Sequence, residues 1–111
     1  MKNNITEQNV RFVYTTNKAG RKVTTAYMYD DSINAIRLAK AECSKRDQFV
    51  KKIGRDVSFG RLISKGGSIV NYDTIGGTTY GHIARFISEN VDSLPNWQGN
   101  VIAVVTAPII K

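Results

Sequence analysis

The sequence predicts a single α+β domain over residues 1–111, built from an antiparallel β-meander, two helices and a C-terminal apolar strand. Three observations predict this fold class. Short segments rich in β-branched and aromatic residues come first, at 10–16 and 23–29, with turn residues between them. Two later segments repeat apolar residues at helical spacing. Residues 101–110 then form a continuous apolar run, and a chain of 111 residues has room for one modest core.

The first half of the chain contains the candidate strands. Residues 10–16 and 23–29 are expected to pair as a hairpin around a turn at Gly20. Residues 33–42 are ambiguous from their composition. Their strong helix formers, with Ser32 as an N-cap, are typical of a helix, whereas a third strand would extend the meander.

The second half contains the two candidate helices. The first begins near Asp47 and is amphipathic, with apolar side chains on one face, namely Phe49, Val50, Ile53 and Val57. A short strand at 68–72 and a loop at 73–79 are expected next. The second helix is expected over 80–90, with an apolar stripe formed by Ile83, Phe86 and Ile87.

Two glycines lie inside the first predicted helix, where each disfavours the helix by about 1 kcal/mol relative to alanine. Gly54 and Gly60 therefore suggest that another backbone or a ligand approaches closely. The alternative for Gly60 is that it marks a kink or the end of the helix.

The cysteine and histidine content limits the possible chemistry. With one cysteine, Cys43, and one histidine, His82, no internal disulfide can form and no metal site of these ligands is expected. No apolar run approaches the roughly 18 residues that span a bilayer, and the N-terminus lacks the apolar run of a signal peptide. No Ser/His/Asp set or carboxylate cluster is evident. We therefore expect a cytoplasmic protein without enzymatic activity, metal or cofactor.

Positive charge is concentrated in one segment. Residues 43–65 hold seven Lys and Arg against two Asp, which gives +5 of the formal net charge of +7. Cations at helical spacing can neutralise several phosphates, so the segment predicts an anionic ligand, either a nucleotide or a nucleic acid. The predicted phosphate-binding residues here are Lys51, Lys52, Arg55 and Arg61. The alternative is that these side chains only keep one face of the helix solvated.

A second candidate anion site precedes the second predicted helix. Gly76, Gly77 and Thr78 lie just before its N-terminus, where backbone N–H groups can contact an anion. Arg85, inside that helix, is also predicted to contact phosphate. The loop lacks the spacing of a nucleotide-hydrolysing P-loop, and the alternative is an ordinary turn with a threonine N-cap.

The basic segment also contains a set of residues at defined spacing, namely Cys43-Ser44, Asp47, Phe49, Lys51-Lys52, Gly54-Arg55 and Gly60-Arg61-Leu62. It resembles a pattern in small bacteriophage-encoded proteins, CSxxDxFxKKxGRxxxxGRL, over about 20 of the 111 residues. Strands lead into this pattern, so the resemblance favours a strand for residues 33–42. It also implies a host-takeover or counter-defence factor that works in the host cytoplasm by binding rather than by turnover.

The resulting functional hypothesis is a protein that sequesters a phosphate-bearing nucleotide signal of bacterial defence. A base would stack on Tyr27, Tyr29 or Phe59, and a homo-oligomer would assemble the pocket from two subunits. Two alternatives remain open: a basic nucleic-acid-binding protein, and an interaction module that inhibits a host factor.

Overall fold

A computed structural model describes residues 9–43, 50–65 and 67–94 of the chain. The elements in these ranges are β1 (Arg11–Thr16), β2 (Lys22–Asp30), β3 (Ala35–Glu42), α1 (Lys51–Lys65), β4 (Ser68–Asn71), α2 (Tyr72–Ile75) and α3 (Tyr80–Asn90). Four strands and three helices confirm the predicted α+β class. The strand predicted at 101–110 and the helix start predicted near Asp47 lie outside the described residues.

The four strands form one antiparallel sheet in the order β1-β2-β3-β4, which confirms the predicted meander. β3 confirms the strand interpretation of residues 33–42. Its alternate residues face opposite sides of the sheet, with Ile36 and Leu38 on one side and Ala39 and Ala41 on the other. All four are buried. Because both faces of β3 are covered, packing outweighs the helix propensity of its alanines.

Helices cover both faces of the sheet, so the described part of the chain has three layers. α2 and α3 lie over one face, where the core consists mainly of Val13, Tyr27, Ile36, Leu38, Val70, Ile83, Phe86 and Ile87. α1 lies over the opposite face, where a smaller core consists of Val10, Ala26, Met28, Ala39 and Leu62. The side chains in the second core are smaller, so α1 and α3 are packed differently.

The second predicted helix is confirmed as α3, and a local cap fixes where it begins. The side chain of Thr79 accepts a hydrogen bond from the backbone N–H of His82, a donor that the helix itself leaves unpaired. Ile83, Phe86 and Ile87 form the buried stripe that their spacing predicts.

α2 is a single helical turn at a position where the sequence predicts a loop. Asn71 caps it, since its side-chain oxygen accepts a hydrogen bond from the backbone N–H of Thr74 at 2.8 Å. The turn ends at Gly76, whose φ of +91° lies in the left-handed region that glycine adopts readily. One turn is too short to show the apolar periodicity on which a sequence prediction depends.

Candidate functional site

The side of α1 that packs on the sheet combines two small residues with two large apolar ones, and we call it the inner face, formed by Gly54, Ser58, Phe59 and Leu62. Gly54 lies directly against Thr24 of β2, so a Cβ at position 54 would collide with Thr24 Oγ1. The hydroxyl of Ser58 donates a hydrogen bond to the carbonyl oxygen of Gly54 at 2.8 Å, and Leu62 is fully buried. The close approach predicted at Gly54 is therefore confirmed, and the neighbour is a strand.

Gly60 has a different environment. No atom of the protein lies within 4 Å of the position that a Cβ would occupy there. α1 continues beyond it to Lys65, so the interpretation of Gly60 as the end of the helix is wrong. The residue is exposed, and nothing in the described part of the chain accounts for a glycine at this position.

The opposite side of α1 carries the large apolar side chains Ile53, Val57 and Ile63, and Val50 is exposed directly before the helix; we call these four residues the outer face. Their exposed fractions are 60, 39, 48 and 44% respectively. The amphipathic pattern predicts that an apolar face packs on the core, and for Val50, Ile53 and Val57 this is wrong. Gly54 allows α1 to lie against Thr24, and it is Phe59 and Leu62 that pack on the core in their place.

Two of the predicted phosphate-binding cations turn toward β1. The ammonium of Lys51 lies 4.8 Å from the centre of the Tyr14 ring, a cation–π contact. Arg55 Nη1 donates a hydrogen bond to the Tyr14 hydroxyl at 3.3 Å. Both side chains thus contact one tyrosine of this chain.

The other two predicted cations on α1 point in different directions. Arg61 Nη1 donates a hydrogen bond to the carbonyl oxygen of Lys40 at 2.9 Å, which fastens α1 to β3. Lys52 Nζ lies 3.0 Å from Asp56 Oδ2, in an exposed ion pair one helical turn apart. The four cations are distributed around the helix, and the structure does not bring them together in one phosphate site.

The predicted base-stacking residues are also separated. Tyr27 is fully buried in the core beneath α3, so its ring has no free face for a base. Burial raises the pKa of its hydroxyl. Tyr29 is half-buried and packs edge-on against Tyr27, with ring centres 5.8 Å apart. Phe59 packs against the other core, on the α1 side of the sheet. The base-stacking role of Tyr27 is therefore wrong, and Tyr29 and Phe59 do not share a pocket within the described chain.

Of the predicted loop residues, only Gly76 lies with Arg85 at one cleft of the described chain. Gly76, His82 and Arg85 line an open cleft of about 480 Å³ between α2 and α3, with Thr74, Ile75, Phe86, Glu89 and Asn90. Gly77 lies against the His82 ring, and neither Gly77 nor Thr78 lines the cleft. The cleft is on the α3 side of the sheet, so the predicted phosphate ligands occupy two surfaces on opposite faces of the molecule.

The sequence prediction missed the outer face because it assigned the apolar side of α1 to the core. A usable signal was present in the spacing of Gly54, Ser58 and Leu62, which fall on one side of a helix at intervals of four residues. Small residues at this spacing are typical of a helix that lies close against its neighbour. They indicate which side faces inward even when the larger apolar residues are elsewhere.

Neither a metal centre nor a membrane span is found within residues 9–43, 50–65 and 67–94. No three His, Cys, Asp or Glu side chains there are grouped so that they could hold a metal ion, and no helix there is long and apolar enough to cross a membrane. Comparison of the chain with protein-family models, curated proteins and solved structures gives no match.

Proposed function

We propose that this chain is a non-enzymatic binding protein that attaches to another protein through the outer face of α1. The observation that carries the proposal is the exposure of Ile53, Val57 and Ile63 on one side of α1, with Val50 exposed directly before the helix. In the described part of the chain, seven large hydrophobic side chains are exposed, and four of them form this face. A clustered apolar surface of this kind is typical of a protein–protein contact, whereas isolated exposed side chains need no explanation.

The energetic reason is the cost of leaving these side chains in water. Burial of apolar surface is favourable by about 25 cal/mol per Å². A helix that only had to stay soluble would carry polar residues on its solvent side, as ordinary amphipathic helices do. Since α1 carries its polar and small residues partly on the inner side, its apolar residues remain available to a partner.

This function corresponds to the interaction-module alternative from the sequence, and it fits the counter-defence role that the resemblance to phage proteins implies. A protein that covers a surface of a host factor blocks that factor without catalysis. It needs a rigid scaffold and an exposed hydrophobic patch, and the sheet supports α1 along its inner face.

The test compares two isoleucine variants in a capture experiment from nuclease-treated bacterial lysate. Ile53→Gln removes the most exposed apolar side chain of the outer face, at 60% exposure. Ile33→Gln is the matched control, because Ile33 is 42% exposed in the turn between β2 and β3. We expect the wild type and Ile33→Gln to retain one partner protein, and Ile53→Gln to lose it by about tenfold or more. Equal recovery by all three proteins would reject the proposal.

A second candidate function is supported by the cleft between α2 and α3. Arg85 is exposed there beside Gly76 and His82, and it forms no hydrogen bond or ion pair with the described residues. An available guanidinium beside a glycine-containing loop favours the nucleotide-sequestration hypothesis, which stays a prediction. Calorimetry against a panel of cyclic nucleotides is expected to give micromolar binding that Arg85→Gln abolishes. Absence of heat with every nucleotide would reject it.

A further inference from the structure

The cleft between α2 and α3 is lined by charges of opposite sign, and the structure leaves these charges apart. Arg85 and Glu89 both line the cleft, both are exposed, and they lie one helical turn apart on α3. Oppositely charged side chains at this spacing are able to pair along a helix. Among the described residues, however, neither of them forms a salt bridge or a hydrogen bond. Both charges are therefore available to a ligand in the cleft.

The two charges occupy different ends of the cleft. Arg85 and the ring of His82 lie toward the N-terminal end of α3, and Glu89 lies toward its C-terminal end. The ordinary rise of a helix separates His82 from Glu89 by about 10 Å along the axis. The Nδ1 atom of His82 lies 2.8 Å from the Thr79 hydroxyl, so Nε2 is the ring nitrogen that has no hydrogen bond within the described chain. The cleft thus presents a guanidinium at one end and a carboxylate at the other.

The size and the lining of the cleft fit a small molecule. Its volume is about 480 Å³, and small-molecule sites occupy roughly 300–1,000 Å³. Ile75 and Phe86 also line it, and both are buried, so the floor of the cleft is apolar. Sites for small molecules typically combine such apolar surface with a few polar groups that fix the orientation of the ligand. A ligand here would be oriented by one cation and one carboxylate.

A nucleotide that binds with its phosphate at Arg85 turns its base toward Glu89. An ionised carboxylate only accepts hydrogen bonds, and its two oxygens are best satisfied by two adjacent N–H donors. Among the common bases only guanine offers two such donors side by side, N1–H and the 2-amino group, whereas the other bases place an acceptor next to their donor. We infer that the cleft selects a guanine nucleotide, with Arg85 holding the phosphate and Glu89 contacting the base. This inference rests on the nucleotide-sequestration function.

The test is calorimetry of the full-length protein with three 3′,5′-cyclic nucleotides that differ only in the base. Cyclic GMP carries both donors, cyclic IMP lacks the 2-amino group, and cyclic AMP lacks both donors. We expect cyclic GMP to bind about tenfold more tightly than either of the others, because a missing donor leaves the carboxylate incompletely paired. Glu89→Gln is expected to remove this preference by weakening cyclic GMP about tenfold, and Arg85→Gln to abolish binding of all three. The matched control Asp56→Asn makes the same change of charge on α1, over the opposite face of the sheet, and should leave every affinity unchanged.

Two results would overturn the inference and leave the nucleotide-sequestration function standing. In the first, the three nucleotides bind with equal affinity and still require Arg85, so that the carboxylate does not select the base. In the second, cyclic GMP is preferred but Glu89→Gln keeps the preference, so that another group contacts the base. If none of the three nucleotides binds, the inference and the nucleotide-sequestration function are both rejected, and the function proposed for the outer face of α1 is unaffected.

Discussion

The two long helices cover opposite faces of one sheet, and they do so with different kinds of residues. α3 turns Ile83, Phe86 and Ile87 inward, and all three are buried. α1 turns Gly54, Ser58 and Leu62 inward and leaves its β-branched apolar residues in solvent. α3 thus stabilises the fold with its large apolar side chains, whereas α1 packs through Phe59 and Leu62 and also leaves three large apolar side chains exposed.

The size of the strand side chains on each face of the sheet corresponds to the helix that covers that face. On the α3 side the strands contribute large residues such as Tyr27, Ile36 and Leu38. On the α1 side they contribute Ala26 and Ala39, so a helix with a glycine and a serine can pack closely. The core side chains are thus larger on the α3 side than on the α1 side. Truncating a side chain of α3 should therefore lower the free energy of unfolding more than truncating one of α1.

The largest expected effect is the difference in stability between truncating one isoleucine of α3 and truncating one isoleucine of α1. Ile87→Ala removes a fully buried side chain of α3 and is expected to lower the free energy of unfolding by about 2–5 kcal/mol. Ile53→Ala removes a side chain that is 60% exposed and should change it by no more than about 0.5 kcal/mol. Urea unfolding of both variants measures the difference. Similar losses would show that Ile53 is packed within the chain, and the contrast between the helices would fail.

The buried charged residues also differ between the two faces. Substituting one of them is expected to change the free energy of unfolding by a smaller amount. On the α1 side, the Asp30 carboxylate accepts a hydrogen bond from Ser32 and lies 2.8 Å from Arg37 Nε. On the α3 side, the buried ammonium of Lys40 donates to the carbonyl oxygen of Val91 at 2.7 Å. Burial lowers the pKa of Lys40. In the described part of the chain, the buried charge on the α1 side thus has an ionic partner, and the one on the α3 side is bonded to a carbonyl.

Asp30→Asn tests the ion pair through its pH dependence. The hydrogen bond from Ser32, with the neighbouring Arg37, holds the pKa of Asp30 below its ordinary value of 3.8. The stabilisation is therefore present above pH 3.8 and is lost as pH falls through the lower pKa of the folded state. We expect Asp30→Asn to cost about 1–3 kcal/mol at neutral pH and progressively less in acid.

Urea unfolding at a series of pH values measures this cost, and Glu89→Gln is the control. Glu89 is an exposed carboxylate on α3 that forms no hydrogen bond with the described residues. Its replacement should leave the stability at neutral pH nearly unchanged, within about 0.5 kcal/mol. A difference between wild type and Asp30→Asn that stayed constant in acid would mean that the charge of Asp30 contributes nothing.

The parts of the fold that follow from local patterns could be predicted from the sequence. The hairpin of β1 and β2 shows in alternating β-prone residues, and α3 shows in the spacing of Ile83, Phe86 and Ile87 after the Thr79 cap. β3 was ambiguous from its own residues, because its alanines favour a helix. It is a strand because layers on both sides bury it, and that information lies in other parts of the chain.

The candidate site depended on contacts between distant residues, and for this reason it was predicted only in part. The sequence places Lys51, Arg55 and Arg61 on one helix, but it does not show that Tyr14 and the Lys40 carbonyl receive them. It shows a glycine at position 54 without showing what lies against it. The side of α1 that faces inward is decided by such contacts, and the exposed outer face follows from that choice.

The smallest effect is expected from the two glycines of α1, and it tests which side of the helix is inward. Gly60→Ala adds a methyl group in open space and should stabilise the protein by up to about 1 kcal/mol through helix propensity. Gly54→Ala gains the same propensity but forces a Cβ onto Thr24, and overpacking typically costs about 1–3 kcal/mol. We therefore expect Gly54→Ala to destabilise the protein by up to about 2 kcal/mol in urea unfolding.

The double variant Thr24→Ala/Gly54→Ala identifies the cause of that loss. Among the described residues the buried Thr24 hydroxyl has no hydrogen-bond partner, so removing it leaves no other group unpaired. The double variant should recover most of the stability that Gly54→Ala loses, which appears as a coupling energy between the two positions. If Gly54→Ala instead stabilised the protein as Gly60→Ala does, α1 would not lie against Thr24. The apolar side of α1 could then face the sheet, and the outer face would no longer be a candidate binding surface.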